Sequence, residues 1–226
     1  MISISKRLLA KAGMAAAFSG VLAFGAIASA SAAGNLVTDG DFETTPAGSF
    51  TEFNGGANFS GWAVGGDSVD LIGTYWTSAS GAQSLDLNGA APGSVSQTLA
   101  TVVGQQYTLS FSLAGNPVVN APDPSIKGLT VTAGSDLSKS LTFDTTGHTT
   151  SDLGWITKSY TFTASSTSTV LSFASTIPGH TGAAIDNVSV TATPEAGTIV
   201  AFGLMLLGGA VFMLRSGKAS KSSFLA

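Results

Sequence analysis

The sequence of 226 residues contains no cysteine and only two histidines, His148 and His180. Without cysteine, the chain forms neither disulfide bonds nor thiolate metal sites. The two histidines stand in separate glycine-containing segments, and neither belongs to the H-E-x-x-H helix of a zinc hydrolase. We interpret both as solvated loop residues.

The usual serine and carboxylate catalysts are also missing. There is no G-x-S-x-G motif, and the G-D-S-V sequence at residues 66–69 is not followed by a D-x-x-H motif that would supply a base. The sequence singles out no pair of carboxylates for glycoside hydrolysis, because any two of many acids would satisfy the required separation by chance. We predict that the protein is not an enzyme and has no catalytic residues.

Basic residues are scarce between Gly34 and Pro194. This part of the chain has three lysines, no arginine and twelve acidic residues, which gives it a net charge of −9. Such a surface repels phosphate backbones and disfavours nucleic-acid binding, so we predict no nucleic acid among the partners. With about 160 residues it is long enough for one hydrophobic core and short for two.

The first 33 residues have the order of a secretory signal peptide. Basic residues come first, an apolar stretch covers residues 12–28, and small residues continue to Ala33. The alternative is an uncleaved anchor helix, but the small residues at the end of the stretch favour cleavage between Ala30 and Ala33. We expect the mature chain to be exported.

A second apolar run covers residues 196–214 and contains no charged residue. At 1.5 Å per residue, a helix of this length spans the hydrocarbon core of a bilayer. Basic residues follow the run, which predicts a cytoplasmic C-terminus and places the preceding domain outside. The predicted organisation is a signal peptide at 1–33, one domain at 34–193 and a sorting or anchor segment at 194–226.

The middle of the chain alternates apolar and polar residues with the period of β-strands. Turn residues (Gly, Pro, Asn or Asp) bound each alternating segment, which predicts short strands. The clearest segments are Gln106 to Leu113, Ser94 to Leu99, Leu129 to Ala133, Ser138 to Phe143, Thr157 to Phe162, Thr169 to Phe173 and Ala184 to Val190. No amphipathic helix is evident, so the prediction is an all-β fold, an antiparallel jelly-roll β-sandwich. The proline-rich stretch 116–124 is expected to be a long loop.

Several motifs of this domain resemble known families. The opening N-L-V-T-D-G-D-F-E (35–43) and the closing A-I-D-N-V-S-V (184–190) resemble galactose-binding-like domains. The segments S-V-D-L-I-G-T-Y-W (68–76) and G-W-I-T-K-S-Y-T-F-T-A (154–164) resemble the bacterial choice-of-anchor C family. This resemblance implies a galactose-binding-like sandwich and a role that faces carbohydrate.

The tail T-P-E-A-G-T (193–198), with the apolar run and the basic residues after it, resembles the PEP-CTERM sorting signal. The resemblance implies an exosortase-type processing enzyme as a partner in a Gram-negative, polysaccharide-producing bacterium. The pattern is imperfect, because Ala196 replaces the second proline and the chain continues well past the basic residues. The expected location is the outer face of the cytoplasmic membrane, the cell surface or the extracellular matrix.

Three acids near the start of the domain, Asp39, Asp41 and Glu43, alternate along the chain. In an extended chain their carboxylates project from one face, and hard oxygen ligands suit calcium. The resemblance to galactose-binding-like domains implies a structural calcium ion that joins the first strand to the last, and Glu43 and Asp186 are the matching positions. We predict one such ion with Asp41, Glu43 and Asp186 as ligands; the alternative is a solvated acidic edge.

Aromatic side chains stack on the apolar faces of sugar rings, so they are the candidates for glycan contact. Trp62 and Trp155 each follow a glycine at the start of a strand-like segment, and we assign both to core packing. Tyr75 and Trp76 are adjacent, and neighbouring side chains of a strand face opposite ways. We expect one of this pair to be exposed, and we nominate both as glycan-binding residues.

Three functional hypotheses follow from the sequence. The first is an exported, non-catalytic protein that binds extracellular polysaccharide or a cell-envelope glycan, as a component of the exopolysaccharide or biofilm matrix. The second is a carbohydrate-active enzyme whose carboxylates the sequence does not identify. The third is a purely structural envelope protein without a small ligand.

Overall fold

A computed structural model describes residues 34–120 and 122–194 of the chain. Within these residues, no helix is long and apolar enough to span a bilayer. The predicted signal peptide (1–33) and the predicted spanning run (196–214) lie outside the described residues. Export, anchoring and sorting therefore stay predictions.

The described residues form two six-stranded antiparallel sheets that pack face to face. The strands, in chain order, are β1 (Phe50–Asn54), β2 (Asn58–Phe59), β3 (Trp62–Gly66), β4 (Ser68–Ile72), β5 (Ser84–Asp86), β6 (Gly93–Ala100), β7 (Gln106–Gly115), β8 (Ile126–Ala133), β9 (Leu137–Asp144), β10 (Ile156–Thr163), β11 (Ser168–Ser175) and β12 (Ala183–Ala192). Sheet A has the order β1-β4-β5-β12-β7-β10, and sheet B has the order β2-β3-β6-β11-β8-β9. This arrangement confirms the predicted all-β, antiparallel sandwich.

The seven strands predicted from alternation all form, and the period-two pattern explains their burial. In β7, for example, Tyr107, Leu109 and Phe111 are buried, whereas Thr108 and Ser110 between them are half-buried. One face of each strand therefore contributes to the core between the sheets, as expected for an antiparallel sandwich. The stretch 116–124 contains no strand among its described residues, in agreement with the predicted loop.

Aromatic rings from both sheets meet at the centre of this core. The ring of Phe173 lies edge-on to Phe111 (centroids 5.0 Å apart) and to Trp62 (6.4 Å), and Phe42 packs on Trp62 at 5.6 Å. Trp62 is completely buried, as predicted, and its Nε1 donates a hydrogen bond to the backbone oxygen of Asp39 (2.9 Å). This bond satisfies the only polar atom of the ring, which a buried indole requires.

The segment before β1 packs against the last strand, but it is not a strand itself. Leu36 N donates a hydrogen bond to Val190 O, and Val188 N donates one to Gly40 O, both with a length of 2.8 Å.

Between these contacts the chain turns: Asp39 has φ 50° and Phe42 has φ 59°. The prediction that Asp39, Asp41 and Glu43 project from one face of an extended chain is therefore wrong. The turn is what carries Phe42 into the core and leaves Asp41 and Glu43 exposed.

Candidate functional site

The outer face of sheet A, at its β1 edge, carries the most distinctive chemistry of the described residues. Phe50 pairs with Ile72, and Glu52 pairs with Asp70, so these four side chains share one face of β1 and β4. The row continues to Asp86 on β5, which pairs with Asp70. The loop 73–83, which contains the predicted glycan residues, connects β4 and β5 beside this face.

The structure separates the predicted pair Tyr75 and Trp76. The Trp76 ring is 5% exposed, and its Nε1 donates a hydrogen bond to Ser84 Oγ on β5 (2.7 Å). In this position it packs in the core and offers no face to a sugar. The Tyr75 side chain is 40% exposed, so it is the open member of the pair.

Phe50 completes an exposed aromatic surface with Tyr75. Its side chain is 52% exposed, and its ring lies edge-on to Tyr75, with the centroids 6.2 Å apart and an interplanar angle of 72°. Every other aromatic side chain of the described residues is buried or half-buried. We call Phe50 and Tyr75 the aromatic platform. Sequence reasoning missed Phe50, because its contact with Tyr75 depends on the pairing of β1 with β4.

Two carboxylates lie beside the platform. Residues i and i+2 of a strand are about 7 Å apart on one face, which places Glu52 next to Phe50. Glu52 is exposed, and hydrogen bonds from Ser68 and from Ala90 N hold its pKa below the ordinary value. Burial, together with the negative charge of Glu52, raises the pKa of Asp70 to about 6. The buried Asp70 Oδ1 has no hydrogen-bond partner.

The next carboxylate of the row, Asp86, is buried and serves the fold. Its Oδ1 accepts hydrogen bonds from Gly182 N (2.8 Å) and Asn88 N (3.0 Å), and its Oδ2 accepts one from Asn116 Nδ2 (2.9 Å). Burial raises the pKa of Asp86 to about 7 against the effect of these donors. Lys127, also fully buried, lies near enough to Asp86 for electrostatic interaction, and its Nζ donates hydrogen bonds to Thr181. No sequence pattern identified these two buried ionisable groups, because most of their hydrogen-bond partners come from loops that are distant in the sequence.

Two of the predicted calcium ligands, Glu43 and Asp186, accept hydrogen bonds from different parts of one loop. Glu43 Oε1 accepts hydrogen bonds from Ala82 N and Gln83 N, each over 2.7 Å. Asp186 Oδ2 accepts hydrogen bonds from Ala79 N (3.0 Å) and Ser80 N (3.1 Å). Both carboxylates therefore bind the backbone of the loop 73–83.

Backbone N–H groups therefore already engage Glu43 Oε1 and Asp186 Oδ2, two of the oxygens predicted to ligate calcium. The described residues contain no group of three or more His, Asp or Glu side chains that could hold a metal ion. Asp41 is exposed and makes no side-chain hydrogen bond to the other two acids. Backbone hydrogen bonds join the first segment to the last strand, which is the connection for which the sequence predicted calcium. Calcium binding stays a prediction from the sequence, which melting curves with calcium and with a chelator would check.

Sheet B presents a different surface. A groove of about 440 Å³ lies on its outer face and is lined by Leu36, Thr38, Gly61, Ala63, Ser96, Gln97 and Thr98. None of these residues is aromatic, so the groove provides hydroxyl and amide groups without a stacking surface. The aromatic platform on sheet A is the better match to the chemistry that sugar rings require.

The two histidines occupy different environments. His148 is half-buried, and its ring packs against Phe143 with the centroids 5.3 Å apart. His180 is exposed. The interpretation as a solvated loop residue therefore fits His180, whereas His148 contributes to packing.

Trp155, assigned to the core from the sequence, is half-buried against the core, and its Nε1 donates a hydrogen bond to Thr77 O (3.0 Å).

Known proteins with similar sequence or structure provide a comparison. Halomucin of Haloquadratum walsbyi (strain DSM 16790 / HBSQ001) is 30% identical over 174 residues, which cover 71% of this chain and 2% of Halomucin. TmCBM61, solved in complex with beta-1,4-galactotriose, has 19% identity and a TM-score of 0.47, and the match covers 70% of this chain and 99% of TmCBM61. The CBM22-1 xylan-binding domain from Paenibacillus barcinonensis Xyn10C has 15% identity and a TM-score of 0.43, and the match covers 68% of this chain and all of that domain.

These values describe a distant similarity to the structures, and the chain spans only a small part of Halomucin. A family match is more extensive. Residues 35–191, which include every described strand except the last residue of β12, match one family over their whole length. The chain belongs to the family described as Protein of unknown function (DUF642).

Proposed function

We propose that this protein is an exported, non-catalytic module that binds polysaccharide through the aromatic platform. The observation that carries the proposal is that Phe50 and Tyr75 are exposed and in contact, while the other Phe, Tyr and Trp side chains of the described residues are buried or half-buried. Exposed rings lose water when a sugar ring stacks on them, and they keep their shape because they have few rotatable bonds.

The neighbouring carboxylates add the polar part of such a site. Glu52 is exposed beside Phe50, and carboxylate oxygens accept hydrogen bonds from sugar hydroxyl groups.

The buried Trp76 and its hydrogen bond to Ser84 hold the loop that presents Tyr75. Glu43 and Asp186 fix the other end of this loop, so the platform is largely formed before a ligand arrives. A preformed site loses less conformational entropy on binding.

For the whole chain, we propose that the predicted signal peptide exports the domain and that the apolar run 196–214 holds it at the outer face of the membrane. Processing by an exosortase-type enzyme would release it to the surface or the matrix. The polysaccharide partner is then an extracellular or cell-envelope glycan. The acidic domain, with its net charge of −9, is compatible with neutral glycans and repels strongly anionic ones.

One observation favours a second candidate, a glycoside hydrolase. Glu52 and Asp70 are directly opposite each other on β1 and β4, where Cβ atoms are about 5 Å apart. The pKa of Glu52 is lowered, and that of Asp70 is raised to about 6. In such enzymes the nucleophile has the lower pKa and the general acid has the higher one. Against this role, Glu52 is engaged by Ala90 N (3.0 Å), and one Asp70 oxygen is buried.

A glycan array with the purified domain, followed by an assay for newly released reducing ends, separates these candidates. Binding without release of reducing ends supports the proposed function. Release that disappears in both Asp70→Asn and Glu52→Gln would establish the enzyme instead. Silence in both assays, with a folded protein, would leave the purely structural hypothesis.

A further inference from the structure

Two neighbouring valines project from one end of the sandwich. Val102 and Val103, in the loop between β6 and β7, are 65% and 59% exposed, which makes them the two most exposed of the large apolar side chains in the described part of the chain. The hydrophobic effect favours the transfer of exposed apolar side chains from water into an apolar phase. Two adjacent valines at a loop tip therefore indicate a surface that contacts such a phase.

The loop is held in place by its neighbours. Gly104 N donates to Ala164 O (2.8 Å), and Thr101 N donates to Thr167 O (3.0 Å). The β8–β9 turn joins the same end, because Asp136 Oδ2 accepts a hydrogen bond from Ser165 N (2.9 Å). We call this part of the molecule the valine end, defined by the loops 101–105, 134–136 and 164–167.

The valine end is almost free of charge. Its three loops contain a single charged residue, Asp136, although residues 34–194 together carry twelve acids and three lysines. The remaining acids belong to the rest of the domain. With a single acid in its three loops, this end limits both the desolvation of ions and the repulsion between acidic residues and anionic lipids.

The chain also leaves the domain at the valine end. Thr193 N donates to Gln106 O (2.8 Å), and Gln105 Nε2 donates to Thr193 O (2.9 Å), so the last described residues lie against the loop that carries the valines. The apolar run begins at Ala196, three residues later. Three residues reach at most about 11 Å, so the start of this run lies within that distance of Thr193.

From these observations we propose that the valine end faces the membrane and that Val102 and Val103 enter the interfacial region of the bilayer. The inference rests on the anchoring part of the proposed function. It adds an orientation: the domain stands with the 101–105 loop on the lipid and with the 116–125 loop, at the opposite end of β7, pointing away. The ten residues of β7 separate these loops by about 30 Å.

The chain has no cysteine, so a single introduced cysteine can be labelled without background. We suggest full-length Val102→Cys and the matched control Val119→Cys, which replaces a valine that is 50% exposed in the opposite loop. Each is labelled with the environment-sensitive dye NBD and reconstituted into phosphatidylcholine–phosphatidylglycerol vesicles. Flotation measures membrane association, while NBD emission and quenching by aqueous iodide measure the environment of the label.

The proposal predicts that the protein floats with the vesicles and that the label at residue 102 shifts to shorter wavelength and is shielded from iodide. The label at residue 119 keeps the emission and the quenching it shows in water. Equal exposure of both labels in floated protein would overturn the orientation while leaving the anchor intact. Equal shielding of both would also overturn it. Protein that does not float would refute the anchoring proposal and the orientation together.

Discussion

At Asp70, the fold keeps a carboxyl group in an unfavourable position. The side chain is half-buried, one oxygen has no hydrogen-bond partner, and the negatively charged Glu52 lies opposite it on β1. Burial and this charge raise the pKa of Asp70 to about 6. The native state therefore binds the proton more tightly than the unfolded chain, and the ionised form costs stability.

The first prediction concerns the pH dependence of this cost. Between the ordinary value of 3.8 and about 6, the native state binds more protons than the unfolded state, so stability falls as pH rises through this window. The asparagine in Asp70→Asn does not titrate. The free energy of unfolding of this variant, relative to that of the wild type, should therefore increase by about 1 kcal/mol between pH 4 and pH 7. The full shift would correspond to about 3 kcal/mol, and partial exposure to solvent reduces it.

Urea unfolding at both pH values measures this difference. Asp136→Asn is the matched control, because Asp136 is also half-buried but its pKa is lowered, mainly by the hydrogen bond from Ser165 N. Its neutral variant should show no such gain. A gain of equal size in both variants, or none in Asp70→Asn, would mean that Asp70 is not strained.

Individual residues were predicted unevenly from the sequence. Adjacency was enough to expect that Tyr75 and Trp76 differ in exposure, but not to say which ring is buried. That depends on Ser84, which lies on β5 and accepts the hydrogen bond of Trp76 in the preceding loop. Phe50 was missed because its role exists only once β1 pairs with β4.

At the scale of elements, alternation located β6 to β12 well, since one face of each strand is buried. The same alternation was assumed at residues 39–43, and there the expected common face of the three acids is wrong, because the chain turns at Asp39 and Phe42. Positive φ values of non-glycine residues leave no clear signature in a sequence. The buried contacts of the first segment with β12 impose them here.

The second prediction tests this contact between the first segment and the last strand. A Cβ atom added at Gly40 would lie 1.9 Å from the backbone oxygen of Val188, which a side-chain rotation does not relieve. Gly40→Ala must therefore separate the segment from β12 and break the Val188 N–Gly40 O hydrogen bond. We expect a loss of at least about 2 kcal/mol in the free energy of unfolding.

Gly48→Ala is the control for this prediction, because nothing lies within 4 Å of a Cβ atom at Gly48. It should be neutral or stabilise by up to about 1 kcal/mol, through the reduced freedom of the unfolded chain. Urea midpoints of the two variants give the comparison. If Gly40→Ala unfolds at the wild-type midpoint, the segment is not packed on β12 as described.

At the scale of the whole molecule, the described residues form a sandwich whose valine end, where the chain leaves it, has Asp136 as its one acid, whereas the remainder is strongly acidic. The sequence predicted the net charge and the apolar runs, but it did not show that Val102, Val103 and Thr193 meet at one end. That arrangement depends on the β6–β7 connection and on the hydrogen bonds of Gln105 and Gln106 to Thr193.

The third prediction concerns the apolar run 196–214. Deletion of residues 196–226 removes the only predicted spanning segment other than the signal peptide. The truncated protein should move from the membrane or surface fraction to the periplasm or medium, as measured by fractionation and immunoblotting. A truncated protein that still sediments with membranes would show that another part of the chain holds it there.

The central claim is that Phe50 and Tyr75 bind a sugar ring by stacking. Isothermal titration calorimetry with a glycan selected from the array would compare the wild type with Phe50→Ala and Tyr75→Ala, and with Ile156→Ala as an exposed apolar control away from the platform. Each platform variant should lose about 1 to 3 kcal/mol of binding free energy, roughly 5- to 150-fold in Kd, while Ile156→Ala binds like the wild type. Wild-type affinity in both platform variants, with unchanged melting temperatures, would contradict the proposed site.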